Sequence, residues 1–275
     1  MNTNLAYLYL LSPLHTGGTS QEGNLVGIAR EVHTDLPYLP SSTIRGRLRA
    51  ATPKEQISNL WGNTIDDVTD GNDENLTQGS LWVGDGAILW FPVPSLSHGV
   101  VWISCPFLLS RWTRLINKKR SDKDKLTIPS VGSFSDGTQN NLYLKDAIFK
   151  ADELKGWKRD QWSKFIPKGN EEAKQMITKV LILSDRDCQI LIQSSLWRQV
   201  KIKLNDEKNV DGGFRYEEAV PPETLMYFPW GTTTSANGKS PQANQSLKEI
   251  LTSQDGWQIG GQESLGRGFV DLWSH

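Results

Sequence analysis

The order in which strand-like and helix-like segments follow one another most constrains what this chain of 275 residues can become. Apolar runs of strand length stand at Leu5 to Leu11, in "SLWVGDGAILWFPV" (80–93), in "GVVWISCP" (99–106) and in "VLILSD" (180–185). Helical patterns fall between some of them but not all. A doubly wound parallel sheet needs strict alternation of strand and helix, so the pattern selects an α+β fold with an antiparallel sheet. No internal repeat is visible. Hydrophobic residues make up 37% and charged residues 22%, the composition of a globular chain with an ample core.

The local signals can be placed along the chain. After the first strand, "HTGGTSQEGNLVGIARE" (15–31) is glycine-rich and polar, then returns to a short strand-like run. Ser41 and Ser42 follow Pro40 and read as N-caps of a helix carrying Arg45, Arg47 and Arg49. Thr52-Pro53-Lys54-Glu55 has the capping-box pattern and starts a second helix. Residues 62–79 have the composition of a mobile loop, with the acidic stretch "DDVTDGNDE" (66–74) inside it. Gly84 and Gly86 mark a bulge or bend. Pro106 opens a helix whose apolar face is Leu108, Leu109, Trp112, Leu115 and Ile116. Two polar helices are expected near 152–165 and 170–178. Asp185 is expected to cap a helix running to about Trp197. In "VKIKLNDEKNVDGGFRYEEAVP", Val200, Ile202 and Leu204 alternate with Lys201 and Lys203 around a polar tip, the pattern of a long hairpin. A last helix (245–252) leads to a strand, glycine loop and strand.

Charge and cysteine content exclude several classes. A net charge of −1 argues against a general nucleic-acid sponge. The charge is uneven, however, with arginines at 30, 45, 47 and 49 and a basic run at Lys118, Lys119, Arg120, Lys123 and Lys125. That basic run reads as a solvated face. The helix start with its serines and arginines reads as an anion site. Cys105 and Cys188 cannot form a disulfide framework, and no Cys/His spacing suits zinc, so a reducing cytoplasm is expected. The apolar run at Leu5 to Leu11 is too short to cross a membrane. Eleven tryptophans exceed what the length requires and serve a core, a stacking surface, or both.

"GGQESLGRGF" (260–269) packs four glycines around an arginine. No helix follows it and no Gly-Lys-Ser/Thr ends it, so it is neither a dinucleotide fingerprint nor a P-loop. The histidines at 15, 33, 98 and 275 are scattered, and no G-x-S-x-G elbow is present, so no catalytic triad is supported.

Several stretches in order, "SPLHTGG" (12–18), "YLPSSTIRGRLR" (38–49), "GSLWVGDGAILWFPVPSL" (79–96), "VVWISCPFLLSR" (100–111), "GGFRYEEAVPPETL" (212–225) and "IGGQESLGRGFV" (259–270), resemble the RAMP superfamily of CRISPR-associated proteins. Within it, they are most similar to the repeated backbone subunits of type III-B (Cmr) effector complexes. The resemblance implies one domain over 1–275 with a ferredoxin-like (RRM-like) core, an inserted region at about 62–79 and a projecting thumb hairpin at about 198–218. It implies a filament of copies along a guide crRNA, together with target RNA and other type III effector subunits, and no membrane. It makes Ser41, Ser42, Arg45, Arg49, Lys203, Arg215, Gly260, Gly261, Gly266, Arg267 and Gly268 RNA-binding candidates.

The nuclease members of that family carry an aspartate after the His-x-Gly segment. This chain has none between His15 and Arg30; Leu25 or Val26 takes that position, beside Asn24. An aliphatic side chain neither accepts a proton nor ligates a hard cation. Two readings follow. One is a guide-binding scaffold with weakened or lost cleavage and no cofactor. The other is an endoribonuclease using Mg2+ or Mn2+, with Glu22 in place of the aspartate, helped by His15 and Glu217. Glu217 and Glu218 have a simpler role as capping or ion-pairing groups at the hairpin base. A third reading, a lone guide-processing endonuclease with a histidine-centred site, fits the hairpin and the 84–96 block poorly.

Overall fold

A computed structural model describes residues 3–18, 21–22, 24–63, 76–137, 139–234, 240–254 and 256–274. In chain order the strands and helices are β1 (Thr3–Leu10), β2 (Gln21–Glu22), β3 (Leu25–Val26), β4 (Tyr38–Leu39), α1 (Ser41–Ala50), α2 (Lys54–Trp61), β5 (Leu81–Val83), β6 (Gly86–Ser95), β7 (Gly99–Ser104) and α3 (Pro106–Ile116). There follow β8 (Ser133–Phe134), β9 (Leu142–Leu144), β10 (Ala147–Phe149), β11 (Lys155–Gly156), α4 (Arg159–Trp162), α5 (Glu171–Met176), β12 (Val180–Ile182) and α6 (Asp185–Ser194). The chain ends with β13 (Trp197–Leu204), β14 (Val210–Ala219), β15 (Leu225–Thr232), α7 (Ser240–Leu251), β16 (Trp257–Gln258) and β17 (Phe269–Ser274). The fold is mixed α+β around one large sheet.

That sheet runs β11-β8-β12-β7-β6-β15-β1-β17-β16. Its long central pairs are antiparallel, while β12 with β7 and β11 with β8 are parallel. Successive side chains of a strand face opposite sides, and both sides of β1 are apolar. Ala6, Leu8 and Leu10 enter a core shared with Ile44 and Leu48 of α1, Leu191 and Ile192 of α6, and Leu247 of α7. Leu5, Tyr7 and Tyr9 enter a second core with Leu109 and Trp112 of α3 and with Trp157, Phe165 and Ile177. The sheet is therefore the middle of three layers, with β1 between β15 and β17 and covered on both faces. Each fully buried Leu, Ile or Phe contributes roughly 1.5–3 kcal/mol relative to exposure.

A second, small sheet has the order β13-β14-β3-β2. The hairpin β13–β14 is antiparallel, and β3 adds alongside β14 in parallel, with Tyr216 opposite Leu25 and Glu217 opposite Val26. The glycine-rich stretch after His15 thus lends two short strands to the hairpin. Nine of the eleven tryptophans are buried, and Trp82 and Trp197 are half-buried, so none stands fully exposed.

The helix starts depart from the sequence expectation. Pro40, not a serine, stands at the N-cap of α1, and neither Ser41 nor Ser42 caps with its side chain. The Ser41 amide instead donates to Asp85 Oδ1 at 2.7 Å. Pro53 likewise takes the N-cap of α2, while the Thr52 hydroxyl donates to Leu48 O and accepts from Trp61 Nε1. Ser184 caps α6 by accepting from the Asp187 amide, and Asp185 turns to the Phe107 amide of α3. The helix also ends at Ser194, because Trp197 already belongs to β13. The helix expected over 152–165 is broken into 3-10 turns, β11 and α4, because Lys155 and Gly156 leave the helical path to pair in parallel with Ser133 and Phe134 of β8. The loop expected over 62–79 falls largely outside the described residues. No described helix is long and apolar enough to cross a membrane.

Candidate nucleic-acid interface

The carboxyl end of β1, the hairpin base and the glycine loop converge. The loop leaves β16, and its Gly261 amide donates to His15 O at 3.0 Å, while the Gly268 amide donates to Pro13 O at 2.9 Å. The Gly266 amide donates to Glu263 O at 2.8 Å. The backbone donors at 261, 266 and 268 are therefore spent inside the protein and do not cradle an anion. Glycine is needed here for close approach. A Cβ on Gly260 would lie 2.6 Å from His15 O, and one on Gly268 would lie 1.9 Å from Ile259 O, each at a positive φ.

What the loop does present is Arg267. Its side chain is buried, with Cζ 3.7 Å from the centre of the Trp197 ring. Nη2 donates to Gln199 Oε1 at 2.8 Å, and Nη1 is buried without a hydrogen-bond partner among the described residues. Burial lowers the guanidinium pKa and the nearby Glu217 opposes it. A desolvated cation over an indole is worth about 2 kcal/mol, which holds the group in place with one donor edge uncommitted.

The hairpin has two distinct faces. Gln199, Lys201, Arg215 and Glu217 lie on one, as their cross-strand pairing requires. Glu217 is 2% exposed, with Lys201 Nζ 2.5 Å from Oε2 and Arg215 Nη2 3.1 Å from Oε1. Burial raises its pKa, but the hydrogen bonds from Lys201 and Gln262 and the charges of Lys201 and Arg215 outweigh it, and the carboxyl stays ionised below the ordinary range. The next residue, Glu218, is buried between Arg30 (2.8 Å) and Arg198 (2.9 Å), the ion-pairing role expected of the pair. On the other face Val200, Ile202, Phe214 and Tyr216 are exposed, with the two rings packed edge to face at 5.5 Å. Lys203 is also exposed along this arm.

His15 is buried, and its Nδ1 donates to the Glu218 carbonyl at 3.1 Å. The backbone register places Glu22 opposite Leu25, in the row of Tyr216. Val26, not Glu22, shares the row of Glu217. The candidates His15, Glu217, Arg215, Arg267 and the glycines are thus brought together, with Glu22 in an adjoining strand.

The α1 residues stand apart from this cluster. Arg45 donates to Trp61 O, and Arg49 Nη1 donates to Gly62 O at 2.6 Å, so both close the carboxyl end of α2. Arg47 ties α1 to the glycine loop's root through Gln258 O at 3.0 Å. The α1 amino end, read as an anion site, already meets the Asp85 carboxylate. Gln199, Gln262, Trp197 and Arg30 were not singled out as site residues. Strand alternation alone puts Gln199 beside Lys201 and opposite Glu217, but Gln262 and Trp197 join through tertiary contact.

The family profile of the RAMP superfamily matches residues 7–271. The chain belongs to the RAMP superfamily. It is 28% identical over 291 residues to the CRISPR system Cmr endoribonuclease Cmr4 of Pyrococcus furiosus, covering 99% of this RAMP chain and 95% of that protein. The crystal structure of oligomeric Cmr4 from Pyrococcus furiosus superposes with a TM-score of 0.70 at 24% identity, over 100% of this chain and 99% of that one. A chain of the type III-B Cmr-beta complex, determined by cryo-electron microscopy bound to cognate target RNA, gives a TM-score of 0.76 at 19% identity, over 100% and 97%. These similarities establish a Cmr4-like RAMP fold. Among the described residues no cluster of three or more His, Cys, Asp or Glu side chains is arranged to hold a metal ion.

Proposed function

We propose that this RAMP protein is a repeated backbone subunit of a type III-B effector complex in the cytoplasm, binding guide crRNA and positioning complementary target RNA as a scaffold. Near-full-length similarity to Cmr4 and to a chain of a target-RNA-bound complex supports the role. In this reading the core is the family's ferredoxin-like unit, β13–β14 is the thumb, and its exposed Phe214 and Tyr216 face wedges against bases. Arg267, whose Nη1 is buried and uncommitted in the free chain, turns outward to a guide phosphate when RNA binds, while Arg215 and Lys203 add phosphate contacts along the hairpin. Such contacts fix position without reading sequence, as variable guides require. Arg45 and Arg49 act indirectly, by holding α1 against α2, and Ser41 by fixing the start of α1 to Asp85, while Ser42 and the exposed edge of Arg45 face solvent.

Loss of cleavage rests on one observation: the residue across from Glu217 is Val26, and Glu217 itself is held by Lys201 and Arg215. A hard cation needs several oxygen ligands, and this row offers one carboxylate already neutralised. The rival reading draws on the short β2 strand, which brings Glu22 into the hairpin's sheet.

The test is cleavage of a labelled RNA complementary to the guide by the reconstituted complex in Mg2+ or Mn2+. Wild type, Glu22→Ala and Val26→Asp are compared. Tight target binding without cuts in wild type, and cuts regained in Val26→Asp, is the expected result. Regularly spaced products in wild type that vanish in Glu22→Ala would establish the nuclease reading instead.

A further inference from the structure

One cleft among the described residues shares no lining residue with the hairpin β13–β14. It has a volume of about 640 Å3 and sits where Thr3 and Leu5 begin β1, between the end of α3 and the 163–168 segment. Its floor is apolar, formed by Leu5, Trp112 and Ile166 of the second core. Its rim carries Lys119, Arg120, Lys123, Lys125, Lys164 and Lys168, against Asp124 as the one lining carboxylate. The basic run read from sequence as a solvated face is thus half of a cationic wall, and the other half comes from a segment about 40 residues away.

Several of these cations have local partners. Lys119 donates to Asn4 Oδ1, Arg120 to the Asp124 carbonyl, and Lys125 pairs with Asp122 at 2.6 Å. Lys123, Lys164 and Lys168 are exposed and make no ion pair among the described residues. Three uncommitted ammonium groups around an apolar floor select an anionic ligand with an apolar part. Single-stranded RNA is disfavoured, because it binds by stacking on open rings, and the aromatic floor residues Tyr7 and Trp112 are only 5% and 2% exposed.

The chain itself contains a matching sequence. Residues 66–74 carry Asp66, Asp67, Asp70, Asp73 and Glu74 with no lysine or arginine; Val68 lies among them, and Ile65 and Leu76 flank them. This stretch is flanked by Gly62 and Gln78, which form a β-bridge, next to Leu60, Trp61 and Leu81 of the first core. The cleft opens beside the second core, across the sheet. We infer that the cleft binds the acidic 66–74 segment of a second copy of the chain. A patch on one side that receives a segment rooted on the other is a heterologous, head-to-tail contact, and such contacts propagate into filaments when the rotation does not close. The inference extends the proposed reading, in which copies stack along RNA.

The test uses a fluorescent peptide of residues 64–76 titrated into the full chain, with an unrelated single-stranded RNA oligonucleotide titrated separately. The peptide binds, weakens by at least about tenfold from low to high salt, and is lost to Lys123→Glu/Lys164→Glu/Lys168→Glu. A chain with its five acids at 66–74 changed to Asn or Gln loses self-association in sedimentation while binding guide RNA like wild type. No peptide binding, or unchanged self-association in the neutralised chain, overturns the inference. Loss of RNA affinity in the lysine variant with no effect on the peptide assigns the cleft to nucleic acid and also overturns it. Guide binding, measured separately, reports on the scaffold reading alone.

Discussion

Gly46 and Gly268 are both short of a side chain, but only one of them needs to be. Gly268 sits at φ +73°, and a Cβ there would overlap Ile259 O. Gly268→Ala is expected to lose about 2–3 kcal/mol of stability. Gly46 lies within α1 with open space around it, so Gly46→Ala is expected to gain about 0.5–1 kcal/mol. Urea unfolding of the two variants checks the pair, and equal shifts would contradict the assignment. Glu217 supplies a pH prediction. Its pKa is lower in the folded chain than its ordinary 4.5, so its stabilisation is fully present above that value and is lost as pH falls through the folded pKa. The gap in stability between wild type and Glu217→Gln should be largest at neutral pH and shrink in acid. A gap that widened in acid would mean that the carboxyl is destabilised by burial instead. Much of this scale was hidden in the sequence. Arg45 and Arg49 carry the spacing of an anion-binding face, yet both donate to carbonyls at the end of α2 that the fold brings beneath them.

At the scale of elements, the helix starts show where local reading stops. A serine or threonine beside a proline at a helix start reads locally as the cap, but Pro40 and Pro53 hold those positions, and α1 draws its acceptor from Asp85, 44 residues from Ser41 in the sequence. Asp85→Ala should therefore destabilise the chain by about 1 kcal/mol, measured by thermal unfolding, with Asp85→Asn intermediate. The strands were more legible, because an apolar run of strand length, continuous or alternating, is a local property. β1, β6, β7 and the β13–β14 arm all follow from apolar spacing. The added strands β2 and β3 were visible only as a short strand-like run, since two residues give no period to read. The hairpin's apolar face makes a prediction that separates folding from function. Phe214→Ser should cost the free chain about 0.5–1 kcal/mol, the value of one exposed cross-strand pair. In the assembled complex it should abolish the heightened chemical reactivity expected of the bases that this face wedges apart in the bound RNA. Unchanged reactivity would remove the wedge role from this face.

For the whole molecule, charge placement matters more than the net value of −1. Because phosphate contacts release counterions, Arg267→Ala should weaken guide binding and reduce the slope of log affinity against log salt by about one contact. Arg45→Ala should leave that slope unchanged while lowering stability, since its partner is Trp61 O. If Arg45→Ala changed the slope and Arg267→Ala did not, the RNA would run over α1 and not past the glycine loop. The sequence conveyed that charge is patchy but not which patches meet. The basic runs at 119–125 and 164–168 face one another only because α3 and the 157–177 segment pack on the same side of β1.

The burial of the tryptophans has a spectroscopic consequence. With nine indoles enclosed and Trp82 lying against β15, Trp197 is the ring whose surroundings an arriving phosphate would alter, through the guanidinium stacked on it. The intrinsic fluorescence of this chain should therefore be blue-shifted and largely silent to RNA, apart from a small change that Trp197→Phe removes. One native indole then acts as an optical probe of whether Arg267 has found its anion, with no label attached to protein or RNA.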